Sequence, residues 1–186
     1  MTHLSLLWLP ILLSAVGVFI ASSAIHMASP WHKSDFPKMA NESEVMDAMR
    51  PLAIPPGDYF FPRPGSMADM KSPEFIERTN RGPVILMTVM PNGVMPMGAI
   101  FVKWFAYLIV VSTITAIVAS TSLPAGAPSK FVFHQTALVS FAAYALALWQ
   151  LSIWYRRSMS ITIKSTVDAV IYAAVTGGMF AWLWPT

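Results

Sequence analysis

The sequence predicts an all-α integral membrane protein with four transmembrane helices in an up-down bundle and a small mixed extramembrane cap between helices 1 and 2. Hydrophobic residues make up 55% of the 186 residues and charged residues only 11%, whereas soluble domains carry about 25% charged residues. Four long stretches contain almost no charge, and most polar residues fall in residues 26–98. The chain has no cysteine, which excludes disulfides, thiolate metal sites and iron–sulfur clusters.

The first apolar stretch predicts a transmembrane helix within residues 1–25. Residues 4–25 carry no charge and can cross a hydrocarbon core of ~30 Å at 1.5 Å per residue. Gly17 and Ala21, four positions apart, give this helix a small-residue face against which another helix can pack. A cleaved signal peptide is the alternative, but the residues before the apolar stretch include no Lys or Arg, which a signal normally requires.

Residues 26–98 predict a small folded cap and not a disordered loop, because they contain many aliphatic and aromatic residues. Seven basic and eight acidic residues nearly cancel there. Asn41 and the acids after it predict a short helix that ends at Pro51. Ser72 before Pro73 predicts a second helix, with Ser as N-cap and Pro in the first turn. Residues 84–95 predict a strand, a turn and a short return strand at Val94 and Met95.

Three further apolar stretches follow, and they make residues 99–186 a membrane region with spans at about 99–120, 131–155 and 165–184. Two of these spans carry small residues at a spacing of four, which places them on one helix face and predicts close helix packing. These small residues are Ser112, Ala116, Ala173, Gly177 and Ala181.

A basic segment between the third and fourth stretches orients the bundle. Arg156, Arg157 and Lys164 lie there with no acidic residue between them, and short loops rich in Lys and Arg stay in the cytoplasm. Alternating crossings then place residues 26–98 on the cytoplasmic side. We therefore expect a multi-pass protein of the bacterial inner membrane with its N-terminus and C-terminus on the outer side.

Two groups of side chains could bind a metal ion. His26 and His32 follow the first span and could be two ligands, but no third ligand is marked in the sequence. The methionines offer thioethers, which suit Cu(I), although Met also serves as a flexible apolar filler. The methionines with ligand-like spacing are Met87, Met90, Met95 and Met97. Lys164 and Asp168, four positions apart, are expected to pair with each other.

The function predicted from these features is that of a non-catalytic accessory or structural subunit of a larger bacterial inner-membrane complex of the respiratory or photosynthetic type. We find no Gly-x-Ser-x-Gly elbow and no P-loop, so we predict no enzyme activity and no cofactor. The expected partners are the lipid bilayer and other integral membrane subunits. Nucleic acid is not expected, because no basic surface with interleaved aromatics is present. The alternative is a membrane metal-handling (copper) or redox-associated protein that uses Met and His ligands.

Overall fold

The computed structural model describes residues 2–186, which are mostly helical. The chain forms two compact units. The first unit consists of the residues up to Pro37 and those from Pro96 onward, and the second unit is Lys38–Met95. The regular elements, in chain order, are α1 (Trp8–Ser23), α2 (Glu42–Met49), β1 (Gly57–Phe61), α3 (Pro73–Arg81), β2 (Ile85–Val89), α4 (Met97–Ser122), α5 (Ser129–Ala145), α6 (Trp149–Tyr155) and α7 (Met159–Trp182).

Three helical stretches in the described part of the chain are long and apolar enough to cross a membrane: Leu4–Ala28, Met97–Ser122 and Ser129–Tyr155. The first contains α1 and ends in a π-helical turn, and the last joins α5 to α6 through a 3₁₀ turn. The fourth predicted span is not confirmed by this criterion. Its residues form α7, which includes Lys164, Asp168 and several Thr and Gly residues, and these polar and small residues lower its hydropathy.

The first unit contains the three apolar stretches, and its core lies where α1, α4, α5 and α7 meet. One cluster of buried side chains includes Val18, Leu108, Tyr144 and Tyr172, one from each of these helices. A second cluster is formed around Phe180, which is fully buried. Because α7 contributes to both clusters, it packs into the bundle along most of its length.

Hydrogen bonds join both ends of the described chain to the end of α4 and the loop that follows it, at one end of the bundle. The Thr2 hydroxyl donates to the Leu123 carbonyl at 3.0 Å, and the Thr2 amide donates to the carbonyl of Ser120 at 3.1 Å. The Trp184 indole N–H donates to the Pro124 carbonyl at 2.9 Å. The start of the first span, the end of α4 and the end of α7 therefore lie at the same level.

The second unit contains the two predicted short helices and a two-stranded sheet. The Ser72 hydroxyl accepts a hydrogen bond from the Phe75 amide at 3.1 Å and so caps α3, as the sequence predicts. The predicted return strand at residues 94–95 is wrong, because β2 pairs antiparallel with β1, where Tyr59 faces Met87. The aromatic segment in β1 offers stronger strand formers than the two residues after the turn.

The second unit has little core of its own. Within residues 38–95, all of which the structure describes, no residue is buried. Large apolar side chains there remain exposed, among them Leu52, Phe60, Leu86 and Val94. A two-stranded sheet is marginal by itself and needs a surface to pack against.

Candidate metal centre

A turn at the end of the first span brings two histidines together. His26 lies in the π-helical turn Ala24–Ala28. Ser29 follows it, and its hydroxyl donates to the Ile25 carbonyl at 2.6 Å. The chain then folds back so that the imidazole rings of His26 and His32 stack, with 4.3 Å between centroids and 24° between planes.

His32 lies between two carboxylates. Its Nδ1 is 2.6 Å from Asp35 Oδ2, and its Nε2 is 2.8 Å from Asp168 Oδ2. An imidazole can donate from both nitrogens only when both carry a proton, which makes it a cation. The proton on Nε2 then occupies the position at which a metal ion would bind.

Asp35 is fixed by a second cation. Lys164 Nζ donates to Asp35 Oδ1 at 2.7 Å and to the Ser34 hydroxyl at 2.8 Å. The hydrogen bond from Lys164, followed by that from His32, lowers the pKa of the Asp35 carboxyl below its usual range. Asp35 therefore stays charged at neutral pH and holds the His32 ring in one orientation. The expected pairing of Lys164 with Asp168 is wrong, since Lys164 reaches Asp35 instead and Asp168 contacts His32.

His26, His32 and Asp168 form a group of three possible metal ligands. Their nitrogen and oxygen ligand atoms all lie within 4.8 Å of one another. Asp168 is 3% exposed, and its Oδ1 has no hydrogen-bond partner among the described residues. A buried carboxylate oxygen without a partner is costly. Of the other two residues, His26 is exposed and His32 is partly buried.

The surroundings of the three ligands resemble those of known metal centres in one further respect. Ligating histidines usually donate their second ring N–H to a carboxylate, which orients the ring and raises its basicity. Asp35 accepts from His32 Nδ1 in this way and leaves Nε2 pointing at Asp168. Two imidazoles and one carboxylate are ligands that divalent transition metals accept.

A cavity of about 330 Å³ lies beside two of the three ligands. His26 and Asp168 form part of its wall, and aromatic rings from α4, α5 and α7 form most of the rest. An ion at these ligands would therefore face a partly open, mostly apolar cavity on one side.

The sequence identifies two of the three ligands but does not identify Asp168 or Asp35 as part of the site. Asp168 lies 136 residues from His32, so no local spacing connects the two. The available signal is the presence of an acid inside an apolar stretch, which is a functional indication by itself. Asp35 follows His32 by three residues, which is close enough for a hydrogen bond across a single turn.

The four methionines are divided between the two units. Met87, Met90 and Met95 belong to the second unit, and Met97 is the first residue of α4. Met87 is partly buried in β2, whereas the other three are exposed. The copper interpretation of these residues stays a prediction.

The small residues predicted for helix packing lie at several close contacts. A Cβ added at Gly17 would be 2.8 Å from Val175 Cγ1, and one at Gly177 would be 3.0 Å from the Phe133 carbonyl oxygen. The remaining predicted positions are buried or partly buried, and they are Ala21, Ser112, Ala116, Ala173 and Ala181.

The three basic residues used for topology occupy different structures. Arg156 caps α6 with a left-handed backbone, at φ 53°. Arg157 and Ser158 complete the turn, and α7 begins at Met159. Lys164 is therefore a helical residue and not part of a loop.

Comparison of the chain with protein-family models, with curated proteins and with solved structures finds no match. The centre must therefore be interpreted from its own residues and distances.

Proposed function

We propose that this chain is a membrane-embedded metal-handling protein that binds a divalent transition-metal ion through His26, His32 and Asp168. The observation that carries the proposal is the convergence of these three ligand atoms within 4.8 Å of one another around a buried carboxylate. With His32 neutral, Asp35, Lys164 and Asp168 together carry one uncompensated negative charge. A metal cation bound between His32 Nε2 and Asp168 Oδ2 would take the place of a proton there and would compensate this charge.

The ligand set favours a different metal from the one that the methionines indicate. Imidazole nitrogen and carboxylate oxygen suit Zn²⁺ and similar divalent ions, whereas Cu(I) prefers thiolates and thioethers. Structural zinc sites usually have four protein ligands, and sites that act on a substrate keep one position open. Three protein ligands therefore favour a centre that exchanges its ion or binds a further ligand.

A metal titration of the purified wild-type chain tests the proposal. The protein is treated with a chelator in mild detergent, dialysed, and titrated with Zn²⁺ while binding is followed by calorimetry. We expect saturable binding of one ion per chain, and elemental analysis of the untreated protein should find a transition metal in the same ratio. Absence of saturable Zn²⁺, Mn²⁺, Fe²⁺ and Cu²⁺ binding would overturn the proposal.

We also propose that α7 is a fourth transmembrane helix. Just after the end of α7, Trp184 donates to the Pro124 carbonyl, next to Leu123, to which Thr2 donates. In the first half of α7, Asp168 contacts His32, four residues after the end of the first span. It therefore extends between the same two levels as the first span. Lys164 and Asp168 do not argue against this, because both are paired with other residues of the same unit.

Four spans in a bacterial inner membrane give the orientation that the basic turn predicts, with both termini on the outer side. Replacing Arg156 and Arg157 with Glu removes the charges that retain the turn in the cytoplasm. We expect this double variant to move a C-terminal reporter from the outer to the cytoplasmic side in a large fraction of molecules. Lys130→Glu is the matched control, since it removes a cation from the opposite side and should leave the reporter in place. An unchanged reporter in the double variant would contradict the orientation.

A second candidate function is that of an accessory subunit of a larger membrane complex. It is favoured by residues 38–95, which include no buried residue and expose apolar side chains such as Phe60 and Val94. Contiguous exposed apolar surface commonly marks a protein or membrane contact. A photo-crosslinker at position 60 should then attach to one integral membrane protein in stoichiometric yield, with a crosslinker at Glu42 as control. Crosslinks to lipid alone would contradict this function.

A further inference from the structure

An open groove of about 400 Å³ lies between α5 and α7. Of the residues that line it, only His134 is polar, and the small side chains of Ala137 and Ala173 leave space between the larger ones. Leu138, on the wall of the groove, is 68% exposed. Because α5 belongs to a stretch that is apolar enough to cross a membrane, this exposed apolar surface is suited to contact with lipid.

The polar residue of the groove is fixed near the start of α5. His134 Nδ1 is 2.7 Å from the Lys130 carbonyl oxygen, and because a carbonyl oxygen can only accept, Nδ1 carries the hydrogen. Nε2 is then the ring atom that can contact a ligand. The next residue, Gln135, donates to the Ser122 hydroxyl. His134 therefore lies at the end of the bundle where Thr2 bonds to the loop after α4.

The helices that meet at this end of the bundle supply a cation but no acid. Residues 2–25, 104–155 and 169–186 contain no Asp or Glu, and Lys130 is their only Lys or Arg. Lys130 is exposed in the first turn of α5, and it precedes His134 by four positions, which places both on one face of the helix. These helices therefore leave the charge of Lys130 to be compensated by an anion from outside them.

We propose that this groove binds an anionic phospholipid, with an acyl chain against the apolar walls and the phosphate at Lys130 and His134. The ammonium group of Lys130 donates to the phosphate, and a protonated His134 donates from Nε2. On α5 the groove extends from Phe133 to Phe141, which is about 12 Å at 1.5 Å per residue and suits an extended segment of acyl chain. None of the proposed metal ligands lines this groove, so the inference does not depend on the metal centre.

A second copy of the chain is the competing occupant. Ala174 and Gly178 are small residues on the exposed side of α7, and such residues allow a second helix to approach closely. Two copies that pair through the same face in one membrane orientation would, however, place their Lys130 residues at the same depth. The two cations would repel each other, because the helices at this end contribute no acid. A lipid brings its own negative charge, which favours it as the occupant.

Retention of lipid in native mass spectrometry tests the inference. The full chain is purified in mild detergent and mixed with phosphatidylglycerol or phosphatidylcholine that carry identical acyl chains. We expect one phosphatidylglycerol per chain to be retained at about fivefold lower concentration than phosphatidylcholine, because Lys130 repels the choline cation. Lys130→Gln should weaken retention of phosphatidylglycerol about tenfold, as expected for one lost charged hydrogen bond. Lys103→Gln is the matched control, since it removes an exposed cation near the start of α4 and should retain lipid as wild type does.

A second pair of variants tests the apolar part of the groove. Ala174→Phe fills the groove from an exposed wall and should weaken retention of phosphatidylglycerol about tenfold, since it removes room for about two buried methylene groups. Ile171→Phe is its control, because Ile171 is exposed on α7 but does not line the groove. Glycerol phosphate, which has the charge without the acyl chains, should not displace the lipid at equal concentration.

Each possible failure has a distinct meaning. Equal retention of the two lipids by wild type, equal losses in Lys130→Gln and Lys103→Gln, or unchanged retention in Ala174→Phe would each overturn the lipid site. Displacement by glycerol phosphate would overturn the role of the groove. A dimer that Ala174→Phe disrupts, in a chain that retains no lipid, would assign the groove to a second copy. Saturable Zn²⁺ binding without lipid retention would overturn this inference and leave the proposed metal function intact.

Discussion

Replacing Asp168 with asparagine is expected to weaken Zn²⁺ binding at least about 100-fold, because loss of second-shell partners alone costs 10- to 100-fold and Asp168 is a direct ligand in the proposed centre. Asparagine keeps the shape of the side chain and can still accept a hydrogen bond from His32, so the fold should be retained. The change removes the one negative charge that directly faces the ion. Calorimetric titration of wild type and variant in the same detergent measures the effect.

Two further variants calibrate this result. Asp35→Asn should weaken binding about 10- to 100-fold, since Asp35 orients His32 without contacting the ion. His134→Gln should bind as wild type, because His134 Nδ1 contacts the Lys130 carbonyl and lies outside the three ligands. An Asp168→Asn affinity within about threefold of wild type would place the ion elsewhere in the chain.

The second large effect concerns helix packing at Gly177. A Cβ at this position would lie 3.0 Å from the Phe133 carbonyl oxygen and from Ala137 Cβ, so leucine must push α5 and α7 apart. Overpacking of this kind costs about 1–3 kcal/mol or more. We expect Gly177→Leu to lower the thermal unfolding midpoint and the yield of monodisperse protein.

Gly178→Leu is the matched control on the next residue of α7. Nothing lies within 4 Å of a Cβ added at Gly178, and leucine is a better helix former than glycine by roughly 0.5–1 kcal/mol. Its unfolding midpoint should equal or exceed that of wild type. Equal losses for the two variants would show that Gly177 does not set the distance between α5 and α7.

Local patterns in the sequence predict the elements better than they predict the pairings between them. The apolar stretches locate the helices, and Ser72 before Pro73 locates the start of α3, because caps and hydrophobic runs act over a few residues. The partner of β2 depends on a contact between distant segments, and the sequence prediction chose the nearer residues 94–95. The structure instead uses β1, about thirty residues earlier.

The same limit applies to the candidate centre. His26 and His32 are close in sequence and could be proposed together, whereas Asp168 joins them only because α7 packs beside α1. The spacing of Lys164 and Asp168 predicts a local pair. In the structure Lys164 pairs with Asp35 and Asp168 pairs with His32, because the segment that carries Asp35 and His32 packs against α7. Lys164 and Asp168 also lower the mean hydropathy of α7, which is why this helix does not stand out as a membrane span.

The three proposed ligands lie on elements of different rigidity. His26 and Asp168 lie on helices, while His32 lies in the short irregular segment after the π-helical turn. Irregular segments open more easily than packed helices, so we expect an ion to leave the proposed centre when this segment moves and withdraws one ligand. The link from Asp35 to Lys164 holds the segment against α7. In the proposed centre we therefore expect this ion pair to slow the release of the ion, and a chain without it to release its ion faster.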